Sequence, residues 1–218
     1  MSTNVSIRVY CSGRPNESLT SFIHAGSGRE SLKISRTMLN RICTYHQVMP
    51  SYADLLFVFG TSLEARDLTY TSFKRSLMLS RATRGLDIPS LGRSGKGYQL
   101  SYNLKAAVLK QSARGTSATE TWTIRQVAVH HQFDVEQGKS LWMTTAAKDE
   151  KKHQDVTDRI LRMTGKNGRL EDRGFGEAIH CFRTTLAVHL NLCHWATSEW
   201  RAHIQYLEDD TLRKVRHT

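Results

Sequence analysis

The stretch from Thr121 to Val135 constrains the fold of this 218-residue chain more than any other segment. Its side chains alternate in a period of two, which is typical of a β-strand. Apolar residues occur on both sides of the alternation, and this predicts a strand at the centre of its sheet. One side carries Val127, Val129, His131 and Phe133, and the other carries Trp122, Ile124, Ala128 and His130.

Two further strand patterns flank this segment. Tyr98 to Leu104 alternates before it, and Ser140 to Thr145 follows it after a turn that contains Gly138. Together with the central strand they predict an antiparallel meander of three strands. The expected fold class is therefore α+β, with a small, largely antiparallel sheet, flanking helices and a long C-terminal helix.

Helix signals lie in the N-terminal third. Ser35 is positioned as the N-cap of a helix that carries Leu39 and Ile42, and Ser51 can begin a second helix. The segment from Thr61 to Leu91 is polar and basic with little periodicity, which predicts a long surface excursion.

A heptad-like pattern marks the C-terminal part. Apolar positions from Phe175 to Leu207 recur mostly at alternating steps of four and three residues, as in helices that pack on other helices. A helix of this length exceeds a small domain, so the pattern predicts a homo-oligomer. The expected interface residues are Leu186, Cys193, Trp200 and Leu207. The expected organisation is an α/β domain over residues 1–147, a charged connecting segment over 148–174, and the helix over 175–218.

Composition and patterning limit the class of protein. Hydrophobic residues make up 39% of the chain, which is enough to form a core. The N-terminus does not resemble a secretory signal, and the longest apolar run, Leu55–Phe59, is too short to cross a bilayer. The four cysteines are scattered, which is typical of reduced thiols. These features predict a cytoplasmic protein.

Positive charge is concentrated in one region. The net charge is +11, and the stretch from Lys74 to Arg114 holds nine basic residues against one acid, Asp87. This concentration predicts attraction to a polyanion such as RNA or anionic lipid, and the alternative is a set of solvated loop charges. The candidate contacts are Lys74, Arg75, Arg81, Arg84, Arg93 and Lys96.

Two motifs suggest chemistry but lack the rest of a site. The run from Gly92 to Gly97 (GRSGKG) is glycine-rich, yet Ser90 and Gly97 stand where a P-loop requires Gly and then Ser or Thr. A flexible turn is the preferred interpretation. His130 and His131 point to opposite faces of a strand, so they cannot share one metal ion. For His131 a hydrogen-bonded core position is favoured over a catalytic base.

Metal ligation is weakly supported. His189 and Cys193 lie four residues apart on the predicted helix, as two zinc ligands would, but no second ligand pair accompanies them. Glu208, Asp209 and Asp210 are consecutive, so their carboxylates fan out around a helix. The sequence therefore predicts no catalytic residue, no metal site and no cofactor.

Four blocks, in order along the chain, carry a recognisable pattern. They are TYHQVMPS from Thr44 with the apolar run to Gly60, LGRSG from Leu91 with YNLK from Tyr102, WTIRQVAVHHQFDVEQGK from Trp122, and WRAHIQYLED from Trp200. Together they resemble the fungal CorA-like transporter domain proteins.

The resemblance implies a cytosolic α/β domain that leads through a long helix towards membrane helices. It also implies oligomeric assembly and, by resemblance alone, a link to magnesium. The sequence has no transmembrane segment and no Gly-Met-Asn motif, so we do not expect it to transport ions by itself. The leading hypothesis is a non-enzymatic binding or regulatory domain that self-associates through its C-terminal helix. The alternatives are polyanion binding and an uncharacterised enzyme that uses His130 or His131.

Overall fold

The computed structural model describes residues 10–12, 21–25, 34–57, 59, 70–111, 120–147 and 178–216. Its strands are β1 (Tyr10–Ser12), β2 (Ser21–Ala25), β3 (Phe73–Met78), β4 (Gly97–Gln111), β5 (Glu120–Asp134) and β6 (Lys139–Ala147). Its helices are α1 (Arg36–His46), α2 (Ser51–Leu56), α3 (Ala178–Thr197) and α4 (Trp200–Arg216), with a 3-10 turn at Pro89–Leu91. The fold is α+β, as predicted.

The described strands form one sheet in the order β1-β6-β5-β4-β3. Strands β3 to β6 pair antiparallel with their neighbours. The short strands β1 and β2 both lie along β6, the first antiparallel and the second parallel. Strand β5 lies between β4 and β6, so the predicted central strand and the predicted meander are confirmed.

Strand β3 lies inside the segment that the sequence predicted to be a surface excursion. It pairs with β4 from Phe73 opposite Tyr102 to Met78 opposite Gly97. It is an edge strand, and its side chains are exposed or half-buried. An edge strand needs no continuous apolar face, and so it lacks the alternation by which a strand is recognised in sequence.

Two apolar layers cover the two faces of the sheet. Helix α3 packs on one face, which we call the α3 face, and α1 and α2 pack on the other, which we call the α1–α2 face. The core of the α3 face includes Tyr102, Val127, Val129, Trp142, Val188 and Leu192. The core of the α1–α2 face includes Tyr52, Leu55, Phe59, Ala128, Leu141 and Met143. The alternation of β5 divides its own residues between these layers.

The two N-terminal helices begin at the residues that the sequence indicated. The side chain of Ser35 accepts a hydrogen bond from the backbone N–H of Met38 at 3.1 Å, which makes it the N-cap of α1. Helix α2 begins at Ser51. Both predictions are confirmed.

The long C-terminal helix is also confirmed, and a turn at Ser198–Glu199 divides it into α3 and α4. The register of its inner face differs from the expected one. The buried side chains of α3 are Cys181, Thr185, Val188, Leu192, Trp195 and Ala196. Ala196 belongs to the predicted heptad-like pattern, and the other five each lie one residue before a position of that pattern, as Thr185 precedes Leu186 and Leu192 precedes Cys193. The steps of four and three are retained, and within the described residues the helix packs on the sheet. A helix that is apolar on more than one side does not reveal in its sequence which side turns inward.

The predicted domain boundaries stay a prediction. Strand β6 ends at Ala147 and α3 begins at Ala178, and the proposed connecting segment lies outside the described residues. Among the helices that the structure describes, none combines the length and apolar character needed to span a bilayer.

Candidate functional site

A groove runs between α3 and the outer part of the sheet, where β3 and β4 end the strand order. Its volume is about 560 Å³. The apolar walls come from Phe73, Leu100, Leu104 and Leu186, and the polar atoms at its surface come from Tyr102, Asn103, His189 and Cys193. The Asn103 side chain already has hydrogen-bond partners, because it accepts from the backbone N–H of Ser72 and donates to the carbonyl of Tyr70. The groove is therefore an apolar cleft with Tyr102 and His189 at its base.

A chain of four hydrogen-bonded side chains leads from this base into the core. The Tyr102 hydroxyl lies 2.6 Å from His189 Nδ1. His189 Nε2 lies 2.9 Å from His131 Nδ1, and His131 Nε2 lies 2.9 Å from Ser140 Oγ. The chain joins α3 directly to β4 through Tyr102 and to β5 through His131, and it reaches β6 through the bond between His131 and Ser140.

Aromatic packing holds the two imidazoles in place. The ring of Trp142 stacks on His131 at a centroid distance of 4.0 Å and 17° between planes, and it contacts His189 at 4.7 Å. Tyr102 in turn stacks on Phe73 across the β3–β4 pair at 6.2 Å. These contacts restrict ring rotation, so the hydrogen-bonding nitrogens stay aligned.

Both imidazoles are neutral in this environment. Burial lowers the pKa of His189 to about 4. Burial, and then the neighbouring His189, holds the pKa of His131 well below its usual value. Burial also raises the pKa of Tyr102. A neutral ring has one N–H donor and one acceptor nitrogen. Each hydrogen bond of the chain can therefore have one donor and one acceptor, whether the donors point from Tyr102 towards Ser140 or the reverse.

This geometry has a clear chemical consequence for the enzyme alternative. Both nitrogens of His131 and both of His189 already have a partner. The rings of His130 and His131 are fully buried, so neither can reach a substrate in the groove. The strand histidines are core residues, as the sequence favoured for His131.

His130 occupies the opposite, α1–α2 face. Its Nδ1 lies 2.9 Å from Ser101 Oγ, and its ring packs against Tyr52, whose hydroxyl pairs with Thr145. Within the described residues its Nε2 has no hydrogen-bond partner. Burial, followed by the charge of Arg93, lowers the pKa of His130 to about 3.

The structure divides the six basic residues that were predicted to contact a polyanion. Lys74 and Arg75 are exposed on edge strand β3, where successive side chains point to opposite faces, and Arg81 is exposed just beyond it. These three lie near one edge of the sheet.

The other three have partners within the protein. Arg84 donates to the carbonyl of Ser94 and lies 3.8 Å from Asp87, and Lys96 pairs with Glu136 at 2.5 Å. Arg93 is buried and bonds the carbonyl and ring of His46. Binding of a polyanion stays a prediction, and Lys74, Arg75 and Arg81 are its most accessible members.

The predicted interface residues differ in their exposure. Leu186, Cys193 and Leu207 are exposed. Trp200 is half-buried, and its indole N–H donates to the carbonyl of Lys105 at 3.2 Å, so it attaches α4 to β4. An oligomer interface at these positions stays a prediction.

Metal ligands do not converge in the part of the chain that the structure describes. No group of three or more His, Cys, Asp or Glu side chains there could hold a metal ion. His189 directs its nitrogens to Tyr102 and His131, and Asp210 pairs with Lys214 at 2.7 Å. The described donor set therefore does not fit a resident magnesium or zinc ion.

No local pattern in the sequence connects Tyr102 and Ser140 with the histidines. These two residues come from strands β4 and β6, on either side of β5, and His189 comes from α3. The alternation of β5 places His131 among Val129 and Phe133, and this was the available signal for a buried, hydrogen-bonded ring. Nothing local in the sequence indicates that His189 is its partner.

Comparison with known proteins gives one match. A family model described as CorA-like transporters matches residues 14–218, nearly the whole chain. No curated protein and no solved structure matches it significantly.

Proposed function

This chain belongs to the CorA-like transporter family, and from that premise we propose that it is a non-catalytic assembly domain that associates with a second copy through the outer face of α3 and α4. The observation that carries the proposal is a row of exposed apolar side chains on α3, which begins at the rim of the groove with Leu186 and Cys193 and continues onto the side away from the sheet. It consists of Ile179, Leu186, Leu190 and Cys193.

The position of this row follows from helix geometry. Leu186 and Leu190 each lie two residues from Val188, which is fully buried against the sheet. Two residues correspond to about 200° around a helix axis, so both leucines point away from Val188. Leu190 is 71% exposed. Helix α3 is thus apolar on two opposite sides, and its own sheet covers only one of them.

Helix α4 continues the exposed apolar surface. Ile204, Leu207, Leu212 and Val215 are all exposed. An exposed apolar surface that extends over two helices is typical of a protein–protein contact. The imidazole chain supports the proposal as well, since it joins α3 directly to β4 and β5 and so presents the outer face on a rigid base.

Sedimentation velocity of the purified chain tests the proposal. We expect the wild type to form a discrete oligomer and the double variant Leu186→Asp/Leu190→Asp to sediment as a monomer, because each aspartate would have to be buried without a partner. The matched control is Phe57→Asp/Leu86→Asp, which places the same charges at exposed apolar positions outside α3 and α4. A wild-type monomer, or an oligomer that survives in the α3 variant, contradicts the proposal.

The same measurement with millimolar magnesium addresses the link to the family. The described carboxylates do not form a magnesium site, so we expect the oligomer to be the same with and without the ion. An oligomer that forms only with magnesium would place the ion outside the described residues or between copies.

Polyanion binding is the second candidate, and one observation favours it. Lys74, Arg75 and Arg81 are exposed along one sheet edge, in a chain of net charge +11. We expect affinity for RNA or anionic vesicles that falls steeply with salt, and a smaller salt dependence in the triple Gln variant at these positions. Salt-independent binding, or none at low salt, excludes this candidate.

A further inference from the structure

A second, smaller cavity lies beneath the glycine-rich loop that precedes β4. Its volume is about 50 Å³, and its lining includes His46, Arg93, Gln132, Asp134 and Lys139. The loop, which the sequence predicted to be a turn, is packed into the fold. The residues from Gly92 to Gly95 are buried, and the backbone of Arg93 bonds Ile88 through both its N–H and its carbonyl.

Two cations line this cavity. The guanidinium of Arg93 is buried and is oriented by the carbonyl and ring nitrogen of His46. The ammonium of Lys139 lies directly over Gly92, where a Cβ atom would come within 2.0 Å of Lys139 Nζ. Gly92 also has a φ of +60°, so a side chain there would be strained as well as obstructed. The left-handed backbone at this position therefore favours glycine, and the close approach of Lys139 is a contact that its flexible side chain could relieve.

Lys139 differs from Lys96, the other lysine near the loop, in having no anionic partner among the described residues. Lys96 pairs with Glu136 at 2.5 Å. For Lys139, no carboxylate of the described residues lies within ion-pair distance of Nζ. Lys139 and the buried Arg93 line the same cavity, and an anion that enters it can form charge-assisted hydrogen bonds with both side chains.

Asp134, the carboxylate in the lining, is already committed to the loop and the following turn. It accepts hydrogen bonds from Ser94 N at 2.6 Å, Ser94 Oγ at 2.9 Å, Glu136 N at 3.1 Å and Gln137 N at 2.8 Å. These donors offset much of its charge locally. With two cations and one such carboxylate, the lining has a positive balance.

Gln132 supplies the remaining polar group. Its Oε1 is buried and has no hydrogen-bond partner within the described residues. A ligand that offers one O–H donor and several anionic oxygens would satisfy this acceptor and the two cations together. Hydrogen phosphate has both features, whereas sulfate has no proton to donate at neutral pH.

We propose that this cavity binds a single hydrogen phosphate ion, held by Lys139 and Arg93, with its O–H directed to Gln132. The space corresponds to roughly three to five water positions at 10–15 Å³ each, which suits one tetrahedral oxyanion and excludes a nucleotide. The glycine-rich loop thus has a role in anion binding although it is not a P-loop. The site lies apart from the outer face of α3 and does not depend on self-association.

Isothermal titration of the wild-type chain with inorganic phosphate at constant ionic strength tests the site. We expect saturable binding with one ion per chain, weaker binding of sulfate and none of chloride. Lys139→Met keeps the aliphatic stem, removes the charge and should weaken phosphate binding by about tenfold or more, the loss of one charged hydrogen bond. Lys96→Met is the matched control and should leave binding unchanged, since Lys96 does not line this cavity.

The ring of His46 gives an independent readout, because it lines the same cavity. Burial, and then the charge of Arg93, lowers its pKa to about 4. A bound anion should raise this pKa in the wild type and not in Lys139→Met, as measured by the proton resonances of the ring. Absence of saturable phosphate binding, equal affinity for phosphate and chloride, or equal binding by wild type and Lys139→Met would overturn the proposal.

Discussion

Two adjacent histidines have different hydrogen-bonding environments on the two faces of the sheet. His130 and His131 are consecutive in β5, and both rings are fully buried. On the α3 face, His131 has partners at both nitrogens and links β5 to Ser140 of β6 and to His189 of α3. On the α1–α2 face, His130 bonds only Ser101, and its other nitrogen has no partner within the described residues.

The difference shows that strand alternation determines a side chain's layer but not its role there. The layer above His131 presents another imidazole at hydrogen-bonding distance, and the layer above His130 presents the ring of Tyr52. One histidine consequently attaches a helix to the sheet, while the other fills space beside a single hydroxyl. Four measurements test how far the two faces differ in stability.

Truncation of a buried β6 side chain on the α3 face should give the largest effect. Trp142→Ala removes the ring that stacks on His131 and contacts His189, and should cost about 3–5 kcal/mol in the free energy of unfolding. Met143→Ala, one residue further on the other face, should cost less, about 2–4 kcal/mol, because a smaller side chain is removed. Urea denaturation of both variants measures the difference, and a larger loss in Met143→Ala would reverse our assignment of the stronger face.

Acid should destabilise the protein through both faces, but over different pH ranges. The folded-state pKa is about 4 for His189 and about 3 for His130, against 6.5 for a free ring, so the unfolded chain binds these protons first. The stability contributed by the neutral rings is therefore fully present above about pH 6.5, and it decreases as the pH falls towards each folded-state pKa. For His189 the loss is on the order of 3 kcal/mol at pH 4.

Two variants separate these contributions in urea denaturation across pH 3 to 7. His189→Gln should reduce the dependence of the unfolding free energy on pH mainly above pH 4. His130→Gln should also reduce the pH dependence that continues below pH 4. Identical pH profiles for wild type and both variants would exclude these rings as the titrating groups.

The third measurement replaces each strand histidine by leucine. His131→Leu leaves both Ser140 Oγ and His189 Nε2 without their partner, whereas His130→Leu leaves only Ser101 Oγ. One additional orphaned buried group costs about 1–3 kcal/mol, and this is the excess loss that we expect for His131→Leu. Equal losses in thermal or urea unfolding would mean that the imidazole chain adds nothing beyond packing.

The smallest effect should come from the end of α1 on the α1–α2 face. Ser35→Ala removes the N-cap hydrogen bond to Met38 and should cost about 1 kcal/mol. Ser35→Asp retains a capping acceptor and should keep close to wild-type stability in the same urea titration. If Ser35→Asp is as unstable as Ser35→Ala, capping is not the reason for the loss.

Several elements could be predicted because their signals are local. The alternation of β5, the N-cap at Ser35 and the helix start at Ser51 each depend on neighbouring residues, and each is found where expected. Strand β3 was missed because an exposed edge strand needs no apolar face. The inner face of α3 was placed one residue late because Leu186 and Leu190 make its outer side apolar as well.

The candidate site was less accessible to sequence analysis. The bond between His131 and His189 joins residues 58 positions apart, and that between Tyr102 and His189 joins residues 87 apart. The six basic residues that were predicted to contact a polyanion look equivalent in sequence, yet Arg93 is buried while Lys74 and Arg81 are exposed. Charge is a property of the residue type, but exposure depends on what packs around it.

The amino-acid sequence by itself determined the fold class, the central strand, the presence of a C-terminal helix and the opposite orientation of His130 and His131. All four follow from backbone periodicity and residue type, which operate over a few neighbouring positions. The tertiary structure alone decided which side of α3 meets the sheet, which imidazole gains a second imidazole as its partner, and that Lys139 lies over Gly92. These contacts depend on the packing of segments distant in the chain, where several apolar surfaces compete for the same core.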